Sequence, residues 1–336
     1  MLRDEFDFID KIKPIKTNQK ALIKGIGDDS AVFKSSSMFD ELICMDTMVE
    51  GVHFTRQTMT PFMIGFKALA VNVSDIAAMG GIPTYYLVSI AVPKDWTEHD
   101  LKEIYEGMSQ IGEQYSMDLI GGDTVSSKQG LIITVTVCGK VEEGTNLFRS
   151  NAKPGDLVFV VGELGASAAG LELLLKNGLS YTYSTHEKML LKQHQLPEPQ
   201  VEAGRILAES RENIALNDIS DGLASETNEI AEASMVDLHL DFEKIPRSKY
   251  IKNYPLLDQK RWSLFGGEDY FLVGTMSKST FDKINQTFDQ KGIKLSVIGD
   301  VTVGSGEVYL THNNKKEKLP KRGFNHFDKG EENGKL

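Results

Sequence analysis

Lys67-Ala-Leu-Ala-Val-Asn-Val-Ser-Asp-Ile-Ala-Ala-Met-Gly-Gly-Ile-Pro83 is the stretch whose reading decides the fold. From Phe66 to Met79 its residues are small and apolar, which predicts a helix. Gly80-Gly81 stops that helix and Pro83 forbids its continuation. A helix that is apolar nearly all round must be buried. This one nevertheless carries Asn72 and Asp75, one turn apart on one face. An unpartnered buried carboxylate is very costly. Lys67 lies two turns from Asp75 and is a poor partner for it. The partners left open are a metal ion, a distant arginine or backbone donors. At least four other segments end an apolar run in Asp beside Gly, and that recurrence favours the metal.

Composition sets the outer limits. The chain has 336 residues, room for one large or two ordinary domains, and a formal net charge of −11 at pH 7. That balance argues against a nucleic-acid-binding surface and suits a protein that binds cations and meets phosphates through them. No apolar run approaches the roughly 20 residues of a membrane span. The acidic start Met-Leu-Arg-Asp-Glu-Phe-Asp-Phe lacks the order of a signal peptide. Two cysteines, Cys44 and Cys138, cannot build a disulfide framework, and both are expected in the core of a cytoplasmic protein.

Along the chain, Ala21–Phe33 reads as strand, Gly-Asp-Asp loop, strand, and Glu41–Asp46 as a buried strand followed by a loop with His53. Tyr85–Val92 is a strand closed by Pro93. Thr97-Glu-His-Asp100 is a capping-box start for a helix with Leu101, Ile104, Tyr105, Met108 and Ile111 on one face. Met117–Ile120 is a short strand running into Gly121-Gly-Asp-Thr124, and Leu131–Cys138 alternates as a strand. The first half is therefore α+β, its strands in hairpin-like pairs around two helices. A boundary falls between Lys140 and Pro154, where two turns interrupt the pattern. The second half reads as further strands and helices. Its strand Leu157–Val161 precedes a Leu-rich helix. Residues 177–199 read as a polar surface excursion, and Ile214–Gly222 as strand then loop. Trp262–Val273 holds Gly266-Gly-Glu-Asp269. From residue 328 a charged tail is expected to be mobile.

The chemistry lies in carboxylates and glycines. Asp28, Asp29, Asp46, Asp75, Asp123, Asp218 and Asp221 come from different segments, and each can offer one oxygen. Magnesium is a small hard cation that takes carboxylates and keeps several waters, so such a set can hold a cluster of ions against a polyphosphate. A lone Gly-Asp is ordinarily a turn or a cap; Asp75, inside an apolar helix, is not. There is no Gly-x-x-x-x-Gly-Lys-Ser/Thr and no protein-kinase signature. Gly121-Gly-Asp123 and Gly266-Gly-Glu-Asp269 can let backbone N–H groups approach a ligand. His53 is a candidate nucleophile, phosphate contact or packing residue. Arg149 is a candidate phosphate clamp, because its fork fits phosphate. Cys-x-x-Cys is absent, which speaks against structural zinc. The residues alone thus describe a two-domain cytoplasmic enzyme that handles a nucleotide with several Mg²⁺ and no P-loop.

Glu5-Phe-Asp-Phe-Ile9, Gly25-Ile-Gly-Asp-Asp-Ser-Ala31, Met45-Asp-Thr-Met-Val-Glu-Gly-Val-His-Phe54 and Asn72-Val-Ser-Asp-Ile-Ala-Ala-Met-Gly80 occur in order. So do Gly121-Gly-Asp-Thr124, Asn217-Asp-Ile-Ser-Asp-Gly-Leu223, Gly266-Gly-Glu-Asp-Tyr270 and Gly323-Phe-Asn-His-Phe327. Together they resemble the thiamine-monophosphate kinase family across almost the whole chain. Its superfamily includes aminoimidazole ribotide synthetase, selenophosphate synthetase and the hydrogenase-maturation dehydratase. The resemblance implies an α+β N-terminal domain (1–148) whose strands form a β-barrel across a homodimer, and an α/β C-terminal domain (149–327). It implies direct in-line transfer from ATP to thiamine monophosphate, with thiamine diphosphate and ADP as products, several Mg²⁺ ions and no phosphoenzyme. Neither nucleic acid nor membrane is implied as a partner. On this basis Asp29, Asp46, Asp75, Asp123, Asp218 and Asp221 match magnesium ligands. Tyr105, Gly122, Asp123, Arg149 and Ser220 match nucleotide contacts. His53, Glu268 and Phe324 match the thiamine side, where an aromatic would stack and a carboxylate would face a cationic or amino group. Many members have Ser/Thr-Thr where this chain has Cys44-Met45, so these two could coordinate only through backbone carbonyls. The alternatives are another ATP-using member of the superfamily or a non-catalytic nucleotide or metal sensor. A selenophosphate synthetase would want a reactive cysteine before Gly25, and there is none. A sensor would be expected to lose some of the six acids, and all six are present.

Overall fold

The computed structural model of the protein describes residues 20–25 and 27–323. Glu5–Ile9, Phe324 and the tail from 328 lie outside the described residues. The elements of the first half are β1 (Leu22–Lys24), β2 (Ala31–Lys34), β3 (Phe39–Val49), α1 (Pro61–Ala78), β4 (Ile82–Val92), α2 (Glu98–Gln114), β5 (Asp118–Ser126) and β6 (Ile132–Glu142). They form a six-stranded sheet in the order β1-β2-β3-β6-β4-β5. Along β6 buried and half-buried residues alternate, so one face of the sheet is sealed. Against it lie α1 and α2, whose Leu69, Ile76, Ile104 and Met108 join Leu42, Val88 and Val135 in one core.

The central helix is α1. The Thr60 hydroxyl caps it by accepting from the Met63 N–H, and a proline opens its first turn. Gly80, at φ +72°, follows its end. By length and composition α1 could cross a membrane, but 78% of its apolar window is buried inside the protein. Its neighbours touch it backbone to backbone. A Cβ on Gly65 would come within 1.8 Å of the Ile104 carbonyl oxygen, and one on Gly107 within 2.0 Å of that of Phe62. The capping box at Thr97 and Asp100 is formed as read.

The second half contains β7 (Leu157–Val161), α3 (Ala166–Asn177), α4 (Thr185–Gln195), α5 (Val201–Glu209), β8 (Ile214–Asp218), α6 (Leu223–Ser234) and β9 (Val236–Asp241). After them come α7 (Leu256–Phe265), β10 (Leu272–Met276), α8 (Lys278–Lys291), β11 (Leu295–Val303), β12 (Val308–His312) and β13 (Lys315–Lys318). The seven-stranded sheet runs β13-β12-β9-β11-β7-β10-β8 and is antiparallel except where β12 meets β9. The halves join along α1: a Cβ on Gly204 of α5 would stand 2.1 Å from the Ala77 carbonyl oxygen. The protein is therefore mixed α/β in two layered halves.

Four readings change. The Gly121-Gly122 pair does not end a strand; β5 continues through it to Ser126. β4 and β5 are parallel, joined over α2, not a hairpin. Residues 177–199 are no surface excursion, because α4 buries Leu190, Leu191, His194 and Gln195. Cys138 is half-buried on the uncovered face of β6, outside the core, while Cys44 is buried. On the uncovered side Met45, Tyr85 and Val125 are exposed.

The contact between α1 and α2 gives a direct test. Gly107→Ala is expected to lower the unfolding free energy by about 1–3 kcal/mol through overpacking. On the same helix, Gly112→Ala meets nothing closer than 3.5 Å and should be neutral or slightly stabilising. Urea titration of both variants reads the difference.

Candidate active site

Three of the carboxylates read from the sequence converge. Asp29 follows β1 in the Gly-Asp-Asp loop, Asp75 lies on α1, and Asp218 ends β8. One oxygen of each lies within 4.8 Å of the others, a spacing suited to a shared metal ion. Asp29 and Asp75 are held well above the usual carboxylate pKa, first by desolvation and then by each other's neighbourhood of acids. Asp218 is pushed up to about 6, again mainly by burial. Ser74, on the same helix as Asp75, donates to Asp218 Oδ2 at 2.6 Å and opposes that rise.

Of the partners left open for Asp75, an arginine stands near the cluster and lowers the Asp75 pKa, but its ion pairs go to other acids. Arg149, half-buried beside the cluster, pairs with Asp29 Oδ1 and reaches Glu229 at 2.8 Å. Its Nε donates to Asn217 Oδ1 at 3.0 Å. Arg149 lowers the pKa of all three acids, yet desolvation prevails at each. Asp29 Oδ2 stays buried without a hydrogen-bond partner. Crowded carboxylates, one orphaned buried oxygen and insufficient positive charge are the signature of a site that fits a divalent cation.

The other expected residues fall in three places. Asp46 stands at the open side of the cluster, its backbone N–H donating to Asn72 Oδ1 at 2.9 Å, and its charge raises the pKa values of Asp75 and Asp218. Cys44, on the same face of β3, donates its thiol to the Asn72 carbonyl at 3.3 Å, and burial beside Asp75 keeps that thiol protonated. Met45 points to the opposite, exposed face. Ser220 and Asp221 follow Asp218 in the loop before α6, where Ser220 Oγ and the Asp221 N–H both donate to Glu226.

A second group sits at the far edge of the first sheet. Asp46 pairs with Val135, Val135 with Val88, and Val88 with Gly122. Gly122 and Asp123 are therefore three strands, about 14 Å, from Asp46. Gly122 has a packing reason to be glycine, since a Cβ there would meet the Val88 carbonyl oxygen at 1.9 Å. Tyr105, on α2, lies next to Tyr86 of β4. His53 is in the turn after β3, its Nδ1 accepting the Val49 N–H at 3.0 Å.

Glu268 forms the third place. The cation it meets here is Lys67: Nζ lies 2.9 Å from Oε1, while His194 Nδ1 lies 3.2 Å from Oε2. Desolvation alone would raise the Glu268 pKa; Lys67 and His194 hold it well below the usual carboxylate range. Glu268 and Tyr270 have φ of +64° and +51°, a left-handed conformation that non-glycine residues rarely adopt.

The sequence reading missed Ser74, Asn217, Glu226, Glu229, Lys67 and His194. Glu226 and Glu229 were visible as charges three apart at the start of a helix with apolar neighbours. Lys67 carried a signal too, because it lies seven residues before Ser74 and so on the same face of α1.

The family model described as AIR synthase related protein, N-terminal domain, matches residues 27–141, and that of the corresponding C-terminal domain matches 153–311. Thiamine-monophosphate kinase of Bacillus subtilis (strain 168) is 47% identical over 96% of this chain and 99% of its own length. A solved structure described as AaThiL complexed with AMPPCP and TMP superposes with a TM-score of 0.83 at 34% identity, covering 96% of this chain and 97% of that one. The crystal structure of thiamine-monophosphate kinase from Stenotrophomonas maltophilia K279a gives a TM-score of 0.77 at 31% identity, with 89% and 93% covered. These matches span both halves, and the chain belongs to the thiamine-monophosphate kinase family of AIR synthase related proteins.

Proposed function

We propose that this kinase transfers the γ-phosphoryl group of ATP to the phosphate of thiamine monophosphate. A terminal phosphate oxygen of the acceptor forms the new bond to the γ-phosphorus, the bond from that phosphorus to the β,γ-bridging oxygen breaks, and ADP leaves with the bond's electrons. The observation that carries the reading is the crowded trio of half-buried Asp29 and Asp75 and buried Asp218, with too little positive charge around it. Asp29, Asp75 and Asp218 would hold Mg²⁺, with Asp46 and Asp221 close enough to extend the set. Bound there, Mg²⁺ would neutralise phosphate oxygens and orient them.

The protein's own groups do the positioning. Arg149 presents a guanidinium beside the acids and can turn it toward a phosphate once metal relieves Asp29. Ser220 offers a hydroxyl at the same loop. Tyr105, Gly122 and Asp123 serve the nucleotide from the β5 edge. That edge reaches the acids through a homodimer, in which the uncovered sheet faces close into a barrel. The exposed Met45, Tyr85 and Val125 support such a closure. His53 and Glu268 would serve the thiamine side, and the family resemblance assigns Phe324 to the same task. No covalent phosphoenzyme is required. The division between domains falls at 148/149, and a cytoplasmic setting suits the two free thiols.

The decisive assay mixes the protein with ATP, Mg²⁺ and thiamine monophosphate and scores thiamine diphosphate and ADP directly. Equal amounts of both, with neither formed when the acceptor is omitted, are expected. Metal-dependent nucleotide binding without thiamine diphosphate would contradict the reading. Asp75→Asn should reduce turnover at limiting Mg²⁺ by roughly 100-fold or more. It should leave the thermal midpoint unchanged or raised, because Asn is neutral at a position where burial and the neighbouring acids disfavour a carboxylate. Near-normal turnover of this variant at limiting Mg²⁺ would remove Asp75 from the metal set.

A further inference from the structure

Lys67, His194 and Glu268 come from α1, α4 and the loop between α7 and β10. Lys67 and His194 are buried completely or nearly so, at 0% and 1% exposed. A lysine at such depth is kept only when an anion answers it, and here Glu268, a quarter exposed, does so at 2.9 Å. His194 adds a second contact to the same carboxylate, and Ser167 Oγ lies 3.3 Å from its Nδ1. The next residue, Asp269, accepts from the N–H groups of Gly165 (2.8 Å) and Ser167 (3.3 Å) at the start of α3. The strained turn is thus pinned from three elements at once.

What the turn holds in return is the loop of the acid site. The Glu268 N–H donates to the Ser220 carbonyl at 2.6 Å, the Tyr270 N–H to that of Ile219 at 2.9 Å, and the Ile219 N–H to that of Phe271 at 2.8 Å. Asp218 immediately precedes these residues. On α1, Lys67 and Ser74 stand two turns apart on one face: Lys67 reaches Glu268, and Ser74 reaches Asp218. One helix of the first half therefore grips the second half at two points, Asp218 itself and the Glu268 turn that is hydrogen-bonded to the residues after it, while the same helix supplies Asp75.

We propose that Lys67 and His194 are positioning residues for the metal site: by holding Glu268 they fix the turn against the Ile219–Ser220 backbone and keep Asp218 in register with Asp29 and Asp75. This deepens the metal reading of the site and rests on it. It also assigns the Glu268 carboxylate a partner inside the protein, distinct from any contact that its remaining open edge makes with substrate.

The test compares wild type, Lys67→Met, Lys67→Arg, His194→Gln and the double variant Lys67→Met/Glu268→Gln. The double variant removes both charges and leaves no orphan. Two readouts are taken: urea stability, and Mg²⁺-dependent binding of a non-hydrolysable ATP analogue by calorimetry, which needs no turnover. Weakening of Mg²⁺-dependent binding by about 10- to 100-fold is expected in Lys67→Met and His194→Gln. The double variant should recover stability but not metal affinity, and Lys67→Arg should recover part of both. A role in folding alone would move stability and leave the Mg²⁺ titration where it was, and that result overturns the proposal. If Lys67→Met and the double variant do not fold, His194→Gln, which keeps the ion pair, decides by the same titration. Absence of Mg²⁺ binding by the wild type would overturn the metal reading and this proposal together; unmoved variants beside a binding wild type would overturn this proposal alone.

Discussion

Carboxylates forced together out of water are the constraint around which this protein is arranged. One oxygen each of Asp29, Asp75 and Asp218 lies within 4.8 Å of the other two, and desolvation raises the pKa of each. Left alone such a group would take up protons or push apart. Arg149 offsets part of the repulsion, and a divalent cation can offset the rest. The fold must therefore spend packing energy on keeping the acids in place before any ligand arrives, and most of that packing runs through α1.

That helix is gripped so closely that its neighbours meet it through backbone. Gly65 and Gly107 let α1 and α2 touch, and Gly204 lets α5 do the same from the second half. A helix seated this way has little freedom to slide or rotate, because interiors are close-packed. Its polar residues are consequently delivered at fixed points. Asn72 orients the backbone of Asp46, Ser74 meets Asp218, Asp75 enters the cluster and Lys67 meets Glu268. Rigid packing and site chemistry are here two consequences of one buried element.

Much of this was legible in the sequence for physical reasons. An apolar helix with an aspartate in it announces both its burial and its need for a partner. The capping box at Thr97 and the glycine stop at Gly80 marked boundaries by local chemistry that tertiary context did not override. Other features were hidden. Leu190 and Leu191 are adjacent, so they make no clear stripe, and α4 looked like a polar excursion although it carries buried His194. Gly121-Gly122 looked like a loop because glycine usually breaks strands, whereas Gly122 is demanded by contact with Val88. The pairing of Lys67 with Glu268 joins residues two hundred positions apart, and no local pattern encodes it. Asp123 matches the same motif set as the clustered acids, yet strand order puts it at the opposite edge of the sheet, a separation that only topology reveals. Phe324 lies outside the described residues.

The most direct measurement is the thermal midpoint of the protein, without nucleotide, as Mg²⁺ is titrated at about pH 5 and about pH 8. In the folded state Asp218 keeps its proton up to about 6, against 3.8 for the free group. Its contribution to stability is therefore full at low pH and is lost as pH rises through that window. A metal ion takes the place of the proton, so Mg²⁺ should raise the midpoint little at about pH 5 and clearly at about pH 8. No Mg²⁺-induced rise at either pH, or a rise of the same size at both, would contradict the account of these acids as a metal site.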